Sequence, residues 1–577
     1  MAEIGSIGIG TVRSVTVSGQ ISFLHGGSAL HWGVRADDRW HIARDERTIR
    51  QGVAGDGVSI ETRLRVPGGD IVHRTSSTPY KNSSLVVVEV ENETPVPIAL
   101  ALFIDETAAW ECNGGVLSRD QIPFLRADKP IADMWVASSE ADLLQLVKEE
   151  KNRTEEERIN PREGSHVAVI FPLPHAAILR FVVRTEPNHN LLPSPDNIPS
   201  LEGIANGWNV HLDQGVSVET QDGRLQNAAL SARRHLLVGS GQAPTSDYWQ
   251  LGVPKHTAAL ASIALCAWGH DEAGKRLLLQ LLHDQPLSTF QRRDLEETCY
   301  LLWASNEFLR IQEVDEVTEL VSAWAIDQIG HLIESIPRRR MRRHREFSFL
   351  HLGLESSVSL LKSADRGMEA QQLKAALPSV YKRNFASLRQ DSLPSALLDK
   401  EQSSRPLLRY LNVYTGGRQG FGNFDESMSV AKKTGIFSSE ERVQDPLASA
   451  VFLLAFSRAL VGQPTSDAPI VALFPDYDPQ WFNIPVEVKN IPTRNGKIGY
   501  AIRWHGNRPA LLWAGDSRSD VIFVAPGLDE SWKSFESQGE ALFPQQEPHE
   551  TALPLISPVI QRNQNRPTKS DSGETFS

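Results

Sequence analysis

Along residues 1 to about 215, apolar residues alternate with polar ones, and this period of two predicts β-strands. The clearest alternation runs from Ile60 to Val66 and ends in a turn signal, Pro67-Gly68-Gly69-Asp70. Two continuous apolar runs, Leu85–Val90 and Ile98–Ile104, are typical of buried strands. Many short strands between turn signals indicate a β-sandwich. One charged helix is predicted at about 141–158, and the proline-rich segment 188–200 is predicted to be a linker.

From about residue 225 the apolar period changes to 3.6, which predicts a run of antiparallel helices with short loops. Gly239 and Gly269 fall just past predicted helix ends, and Pro254 and Pro446 fall at predicted helix starts. The predicted helices are Leu225–Val238, Lys255–Trp268, Glu272–His283, Arg292–Leu309, Val314–Glu334, Phe349–Leu361, Met368–Leu377, Val380–Leu388 and Pro446–Val461.

The period returns to two after the last predicted helix. Ile498 to Trp504 alternate with small or polar residues, and Asn495-Gly496 just before them is a strong hairpin signal, since both residues tolerate positive φ. A further strand is predicted at Ala510–Trp513. The pattern predicts a small C-terminal β-domain. The polar, proline-containing tail from Gln545 to Ser577 is predicted to be disordered.

Composition excludes several classes of function. The chain has 577 residues, a net charge of −12 and a pI near 5.8, which disfavours nucleic-acid binding because phosphate neutralisation needs a basic surface. Its three cysteines are far apart and are expected to be reduced thiols. The histidines show no metal-ligand spacing, so no metal and no cofactor are expected. Because neither a secretory leader nor a long apolar run is visible, we expect a cytoplasmic protein without a membrane span.

Several short motifs follow one another in an order that resembles the six-hairpin (α/α toroid) glycosidase superfamily, which includes bacterial glucoamylase-like and rhamnosidase-like enzymes. The motifs are Asp247-Tyr248-Trp249-Gln250-Leu251-Gly252, Leu281-Leu282-His283-Asp284-Gln285, Glu296-Glu297-Thr298, Leu301-Leu302-Trp303-Ala304, Asp445-Pro446-Leu447-Ala448-Ser449-Ala450, Val486-Glu487-Val488, Pro492-Thr493-Arg494 and Arg503-Trp504-His505-Gly506.

The resemblance implies a multidomain α+β protein with an N-terminal β-sandwich, a central α/α toroid and a small C-terminal β-domain. The corresponding boundaries are 1–215, 225–465 and 466–544, followed by the tail 545–577. Against the twelve helices of a complete toroid, the predicted helices leave the ring incomplete unless others are hidden in the sequence. The implied partner is an oligosaccharide or glycoside substrate. The oligomeric state is not predicted.

Glycoside hydrolysis needs two carboxyl groups, one as general acid and one as base or nucleophile. We assign the acid to Glu296 or Glu297 and the base to Asp425 or Glu426, and the resemblance implies inversion of configuration. The alternative interpretation of Glu296 and Glu297 is a solvated helix start, which the helix dipole favours.

Substrate-binding residues are predicted beside these acids. Tyr300 and Trp303 share a helix face with Glu296 at i+4 and i+7, which pairs a carboxyl group with aromatic rings. Asp247 and Trp249 precede a helix, where residues at the mouth of a barrel are found; otherwise they form an ordinary turn. Arg418 lies in the glycine-rich segment 415–426, which either lines the barrel mouth or is a flexible connection.

Two other hypotheses about the function of the chain remain open. A relative that keeps the fold without the carboxylate pair would bind or organise carbohydrate without cleaving it. A lyase would need a Tyr or His base near an Arg. The basic cluster Arg338–Arg345 would grip a phosphate or a uronic acid, or else form an exposed helix end.

Overall fold

A computed structural model describes residues 2–7, 9, 12–22, 29–54, 58–81, 83–149, 165–184, 192–220, 223–244, 246–249, 254–283, 294–323, 326, 344–384, 445–462, 469–475, 481–516 and 521–546. Within this part of the chain, no helix is both long enough and apolar enough to cross a membrane. The three cysteines are free; Cys266 and Cys299 are buried and Cys112 is exposed.

Two antiparallel sheets of eight strands each form the N-terminal part of the structure. Across the first sheet the order is β1 (Ala2–Gly5), β2 (Val12–Val15), β3 (Ile21–Ser22), β4 (Ala29–Ala36), β10 (Ile98–Ala108), β15 (Ser165–Leu173) and β14 (Asp133–Ala137), with β5 (Arg39–Ile42) paired to β4. Across the second it is β11 (Trp110–Asn113), β12 (Val116–Arg119), β13 (Ile122–Ala127), β16 (Ile178–Arg184), β9 (Ser83–Asn92), β8 (Gly69–Tyr80), β7 (Ser59–Val66) and β6 (Ile49–Ala54).

The two sheets face each other across a shared apolar core. Trp32 of β4 stacks on His73 of β8 with ring centroids 5.1 Å apart and planes 8° apart. Helix α1 (Glu140–Glu149) covers the outer face of the first sheet, where Leu143 packs with Phe103. The first sheet is therefore buried on both faces at its centre, which explains why β4 and β10 are nearly continuous apolar runs. The predicted helix at 141–158 begins as expected, and residues 150–158 lie outside the described part.

A helix that the sequence analysis missed follows the second sheet. Helix α2 (Leu201–Asp213) was assigned to the β-rich region, yet its apolar residues recur at helical spacing, and Ser200 caps it by accepting a hydrogen bond from Gly203 N at 3.1 Å. The period of two predicted for residues 1 to about 215 therefore does not hold for this segment. The buried residues of α2 are Leu201, Ile204, Ala205, Trp208 and Leu212.

The central part is a packed layer of helices. They are α3 (Gly223–Gly239), α4 (Pro254–Ala267), α5 (Asp271–His283), α6 (Asp294–Ile311), α7 (His344–Ser363), α8 (Gly367–Asn384) and α9 (Pro446–Leu460). Helix α4 packs against α5, α6 and α9; α9 also packs against α3, α6 against α7, and α7 against α8. At the crossing of α6 and α7, a Cβ on Gly353 would lie 2.6 Å from Cys299 Cα, so only glycine permits this approach. The toroid stays a prediction, because residues 385–444 lie outside the described part.

Two of the predicted helical regions differ from the observed ones. Met368–Leu377 and Val380–Leu388 were predicted as separate helices, but α8 is continuous through Pro378, because a proline removes a single backbone donor and does not always end a helix. The predicted Val314–Glu334 corresponds to a described helical stretch at 315–323. In the basic cluster Arg338–Arg345, residues 338–343 lie outside the described part, and only the backbone of 344 and 345 is described.

Two small sheets complete the fold. One has the order β17 (Ser217–Thr220), β20 (Val486–Thr493), β21 (Gly496–His505), β22 (Arg508–Gly515) and β25 (Gln538–Leu542). The other contains β18 (Val461–Gly462), β19 (Ile470–Leu473), β23 (Ile522–Ala525) and β24 (Asp529–Ser534). The predicted strands 486–513 are thus observed, and the pairing of Thr493 with Gly496 leaves Arg494-Asn495 as the turn. The hydroxyl of Tyr500 donates to Leu460 O at 2.9 Å, which ties β21 to the end of α9.

Candidate functional site

An aromatic cluster lies where α4 and α6 begin. Tyr300, in the second turn of α6, and His256, in the first turn of α4, have ring centroids 4.0 Å apart. The hydroxyl of Tyr300 donates to the backbone oxygen of His256 at 3.2 Å. Trp303 lies one turn further along α6, with its ring 5.3 Å from that of Tyr300. These contacts fix the starts of two neighbouring helices against each other.

All three aromatic side chains of this cluster are buried. Burial raises the pKa of the Tyr300 phenol well above its ordinary value, because the charged phenolate would lose its hydration. The phenol is therefore a neutral hydrogen-bond donor at physiological pH and is unsuited to act as a base. This property disfavours a lyase mechanism that uses Tyr300.

A short 3₁₀ helix, Asp247–Trp249, packs on α4 and α9 beside this cluster. The ring of Tyr248 meets that of Trp249 edge to face at 4.9 Å, and its hydroxyl donates to His235 O at 2.8 Å. Gly239 makes room for both rings, because a Cβ there would come within 2.2 Å of Tyr248 Cε1 and 2.8 Å of Trp249 Cη2. The end of α3 and the segment before α4 are thus locked together.

The indole nitrogen of Trp249 is fully buried, and among the described residues nothing accepts a hydrogen bond from it. Buried polar groups are nearly always hydrogen-bonded, and an orphaned N–H normally marks the position of a water or a ligand oxygen. Trp249 Nε1 is therefore a buried donor for which the described part of the chain supplies no acceptor.

The predicted catalytic residues lie mostly beyond what the structure describes. Glu296 and Glu297 fall in the first turn of α6, where the helix dipole favours carboxylates, but only their backbone is described. The same holds for Asp247 in the 3₁₀ helix. Residues Arg418, Asp425 and Glu426 lie outside the described part. The structure therefore brings Trp249, Tyr300 and Trp303 onto adjacent elements, and their roles toward a substrate remain predictions.

Asp445 has an assignable structural role. Its carboxylate accepts hydrogen bonds from Leu447 N at 2.9 Å and Ala448 N at 3.1 Å, which is the geometry of a helix N-cap. Pro446 at the first helical position completes this start signal. The two hydrogen bonds from backbone N–H groups give Asp445 a structural role at the start of α9.

Sequence reasoning missed His256 and Tyr248 as members of this site. His256 carries a helix-position signal, since it lies in the first turn of α4, two residues after Pro254. Tyr248 stood beside two residues that were selected, and its hydroxyl partner on α3 was not visible from sequence. Among the described residues, no three of the His, Cys, Asp and Glu side chains are grouped as metal ligands would be.

Comparisons with known proteins give partial structural similarity. No protein-family model matches this sequence, and no curated protein matches it. The structure is similar to a bacterial glucoamylase complexed with acarbose, at 9% identity over 66% of each chain with a TM-score of 0.43. It is also similar to a family GH92 α-mannosidase from Bacteroides thetaiotaomicron, at 7% identity over 85% of each chain with a TM-score of 0.32. Similarity at these TM-scores does not by itself specify a fold or an activity.

Proposed function

We propose that this chain is a carbohydrate-active protein and an O-glycoside hydrolase of the six-hairpin type. The observation that carries the proposal is the buried indole N–H of Trp249, which has no acceptor among the described residues and belongs to the 3₁₀ helix that packs against α4. Sugar sites combine aromatic rings with hydrogen-bond donors that select hydroxyl groups. Glu296 and Glu297 lie in the first turn of α6, one turn before Tyr300.

In the proposed reaction, Glu296 or Glu297 protonates the leaving glycosidic oxygen as the general acid. Asp425 or Glu426 takes a proton from water, which attacks the anomeric carbon from the opposite face and inverts its configuration. The acid must be held protonated, and burial against an aromatic wall such as Tyr300 and Trp303 raises the pKa of a carboxyl group in the required direction.

The remaining predicted residues would hold the substrate. Trp249 donates its indole N–H to a sugar hydroxyl, and Asp247 accepts from a neighbouring hydroxyl. Arg418 supplies a cation from the glycine-rich segment. Helices α3 to α9, together with residues 385–444, are proposed to close into the toroid that surrounds this site.

A second function is favoured by one observation. Trp249, Tyr300 and Trp303 are at most 3% exposed, so no face of these rings is open for a sugar to stack on. A protein that kept the helical fold for binding or scaffolding, without a catalytic pair, would have the same buried cluster. We therefore keep a carbohydrate-binding relative without hydrolytic activity as the alternative.

One experiment separates the two functions. The full chain is incubated with a panel of α-glucosides, trehalose-type disaccharides and rhamnosides, and released reducing sugar is measured beside calorimetric binding of the same compounds. Turnover of any member supports the hydrolase. Binding without turnover supports the alternative, and neither binding nor turnover across the panel would overturn the carbohydrate assignment.

A further inference from the structure

A cleft of about 820 Å³ lies between the N-terminal sheets and the helices. Its floor includes Glu3 and Ile4 of β1, and its walls are formed by α2 and α3. Trp268, which follows α4, closes one end. The volume lies within the range of roughly 300–1,000 Å³ that small-molecule sites occupy. All the residues that line it belong to the described part of the chain.

Polar groups are arranged along both helical walls of this cleft. On α3, Asn227, Ser231 and Arg234 follow at i, i+4 and i+7, and so share one face of the helix. On α2, Asn209 and Asp213 are related by i and i+4 and line the opposite wall. An amide, a hydroxyl, a guanidinium and a carboxylate in one space supply both hydrogen-bond donors and acceptors. Such a mixture suits a ligand with several hydroxyl groups.

Apolar surface alternates with these polar groups. Trp208 of α2 contributes an indole ring, and Val58 and Ile60 contribute aliphatic groups from the sheet side, while Trp268 is almost fully buried behind the lining. A sugar ring has the same combination, since its hydroxyl edges need polar partners and its C–H faces pack on apolar or aromatic surface. A purely apolar ligand would cover these polar groups without hydrogen-bonding to them, which is unfavourable.

The charges in the cleft argue against an anionic ligand. Arg233 is committed to the protein: it donates to Val216 O at 3.0 Å, to Leu212 O, and to His270 Nε2 at 3.2 Å. Burial, reinforced by Arg234, lowers the pKa of Arg233 to about 10, which still leaves it charged at neutral pH. Glu3 and Asp213 line the same space and offset the two guanidinium groups. The lining therefore lacks the excess of positive charge that would favour binding of phosphate or uronic acids.

We propose that this cleft is a second binding site, separate from the aromatic cluster, for a neutral hydroxyl-rich ligand such as an oligosaccharide. Trp268 and His256 lie near opposite ends of α4, about 18 Å apart along the helix axis at the usual helical rise. The cleft comes nearest to the 3₁₀ helix at His235, whose ring centroid lies 5.2 Å from that of Tyr248. The cleft can therefore hold its ligand whether or not the aromatic cluster performs hydrolysis.

His235 joins the cleft to the helical interior. Its imidazole lines the cleft, with Nε2 3.6 Å from Glu3 Oε2, while Nδ1 lies 3.4 Å from Ser449 Oγ on α9. Strand β1, α3 and α9 therefore meet at one side chain, which holds this end of the cleft in shape. A site that is already formed loses less entropy when a ligand binds.

The test uses the full chain with maltotriose, cellotriose and mannotriose as neutral probes and trigalacturonate as the anionic probe. Binding is followed by saturation-transfer NMR and calorimetry. Two variants alter the cleft: Asp213→Asn with Asn227→Ala, which removes one carboxylate charge and one amide at exposed positions, and Ser231→Phe, which fills the space. Gln371→Ala removes an exposed amide from α8 and serves as the matched control.

We expect at least one neutral trisaccharide to bind saturably, about 10-fold more weakly in the double variant and not at all in Ser231→Phe. Gln371→Ala should bind as wild type does. Stronger binding of trigalacturonate, no trisaccharide binding, or unchanged binding in the double variant would each overturn the proposal. If Ser231→Phe fails to fold, the double variant alone decides. Loss of turnover in Glu296→Gln with cleft binding intact separates this site from the hydrolase proposal.

Discussion

Tyr300 and His256 are joined twice, by rings 4.0 Å apart and by a hydrogen bond of 3.2 Å from the Tyr300 hydroxyl to the His256 carbonyl. The two residues belong to α6 and α4, which lie next to each other in the helical layer. The pair therefore sets the relative position of two helix starts, the place from which the proposed catalytic acid projects.

Replacing Tyr300 by Phe keeps the ring and removes the hydroxyl. The carbonyl of His256 loses a buried donor, so the free energy of unfolding should fall by about 1 kcal/mol. Urea unfolding measures this change. Tyr80→Phe, at a partly buried position in β8, is the control and should change stability by no more than a few tenths of a kcal/mol. Equal effects of the two substitutions would show that the Tyr300 hydrogen bond contributes nothing.

Trp249→Phe tests the orphaned indole N–H. Because no described residue accepts a hydrogen bond from Trp249 Nε1, its removal should leave folding stability affected only by the lost ring volume. If the N–H binds a sugar hydroxyl, KM for a turned-over substrate should rise about 10-fold. Trp513→Phe is the matched control, since that indole, in β22, donates to Glu536 O at 3.0 Å and should matter for stability alone. An unchanged KM in Trp249→Phe would contradict the substrate role.

Two variants of Asp445 distinguish a helix-capping role from a role in the reaction. Asp445→Ala removes the acceptor for Leu447 N and Ala448 N and should cost about 1 kcal/mol of stability. Asp445→Asn keeps a capping oxygen and should be nearly neutral in thermal unfolding and in activity. A loss of activity in Asp445→Asn with stability intact would instead give this carboxylate a role in the reaction.

Buried neutral histidines predict loss of stability in acid. Burial lowers the pKa of His73 to about 3, against an ordinary value of 6.5. Between these values the unfolded chain binds a proton that the folded chain does not, so stability falls as pH drops below 6.5, by about 1.4 kcal/mol per pH unit. Burial and then the neighbouring Arg233 lower the pKa of His270 to about 3 as well, in the same direction.

His73→Phe isolates one of these groups, because phenylalanine can keep the stack on Trp32. Between pH 7 and pH 5, the variant should lose about 2 kcal/mol less stability than wild type does. Chemical unfolding at the two pH values provides the comparison. The same pH dependence in both proteins would mean that folding does not lower the pKa of His73.

Much of the fold followed from periodicity, because burial on one side of a strand or helix leaves a direct trace in the sequence. Ile60–Val66 and Ile498–Trp504 alternate cleanly and lie within β7 and β21. The buried residues of helix α2 also recur at helical spacing, although no helix was predicted there. Strand β17 could not have been assigned to the C-terminal sheet, since it pairs with a strand about 270 residues further along the chain.

The candidate site was less accessible to sequence reasoning. Tyr300 and Trp303 lie on one helix face, as predicted, but a face that lines a pocket and a face that packs in the core have the same spacing. Whether that face is buried depends on which residues the neighbouring helices place against it. This is visible only from the packing of α4, α6 and the 3₁₀ helix. The cleft likewise joins β1 to α2 and α3, which lie about 200 residues away in the sequence. Local periodicity does not predict contacts between segments so far apart.

The most direct test of the hydrolase proposal is the rate of glycosidic bond cleavage by wild type and by Glu296→Gln, Glu297→Gln and the double variant, on one substrate that wild type turns over. Glutamine keeps the shape of the side chain and removes the acid. Glu319→Gln, at an exposed position in the stretch 315–323, controls for loss of charge. We expect one of the single variants to lose about 10²- to 10⁴-fold in rate while Glu319→Gln keeps its activity. A double variant that cleaves the substrate as fast as wild type would contradict the assignment of the acid to the first turn of α6.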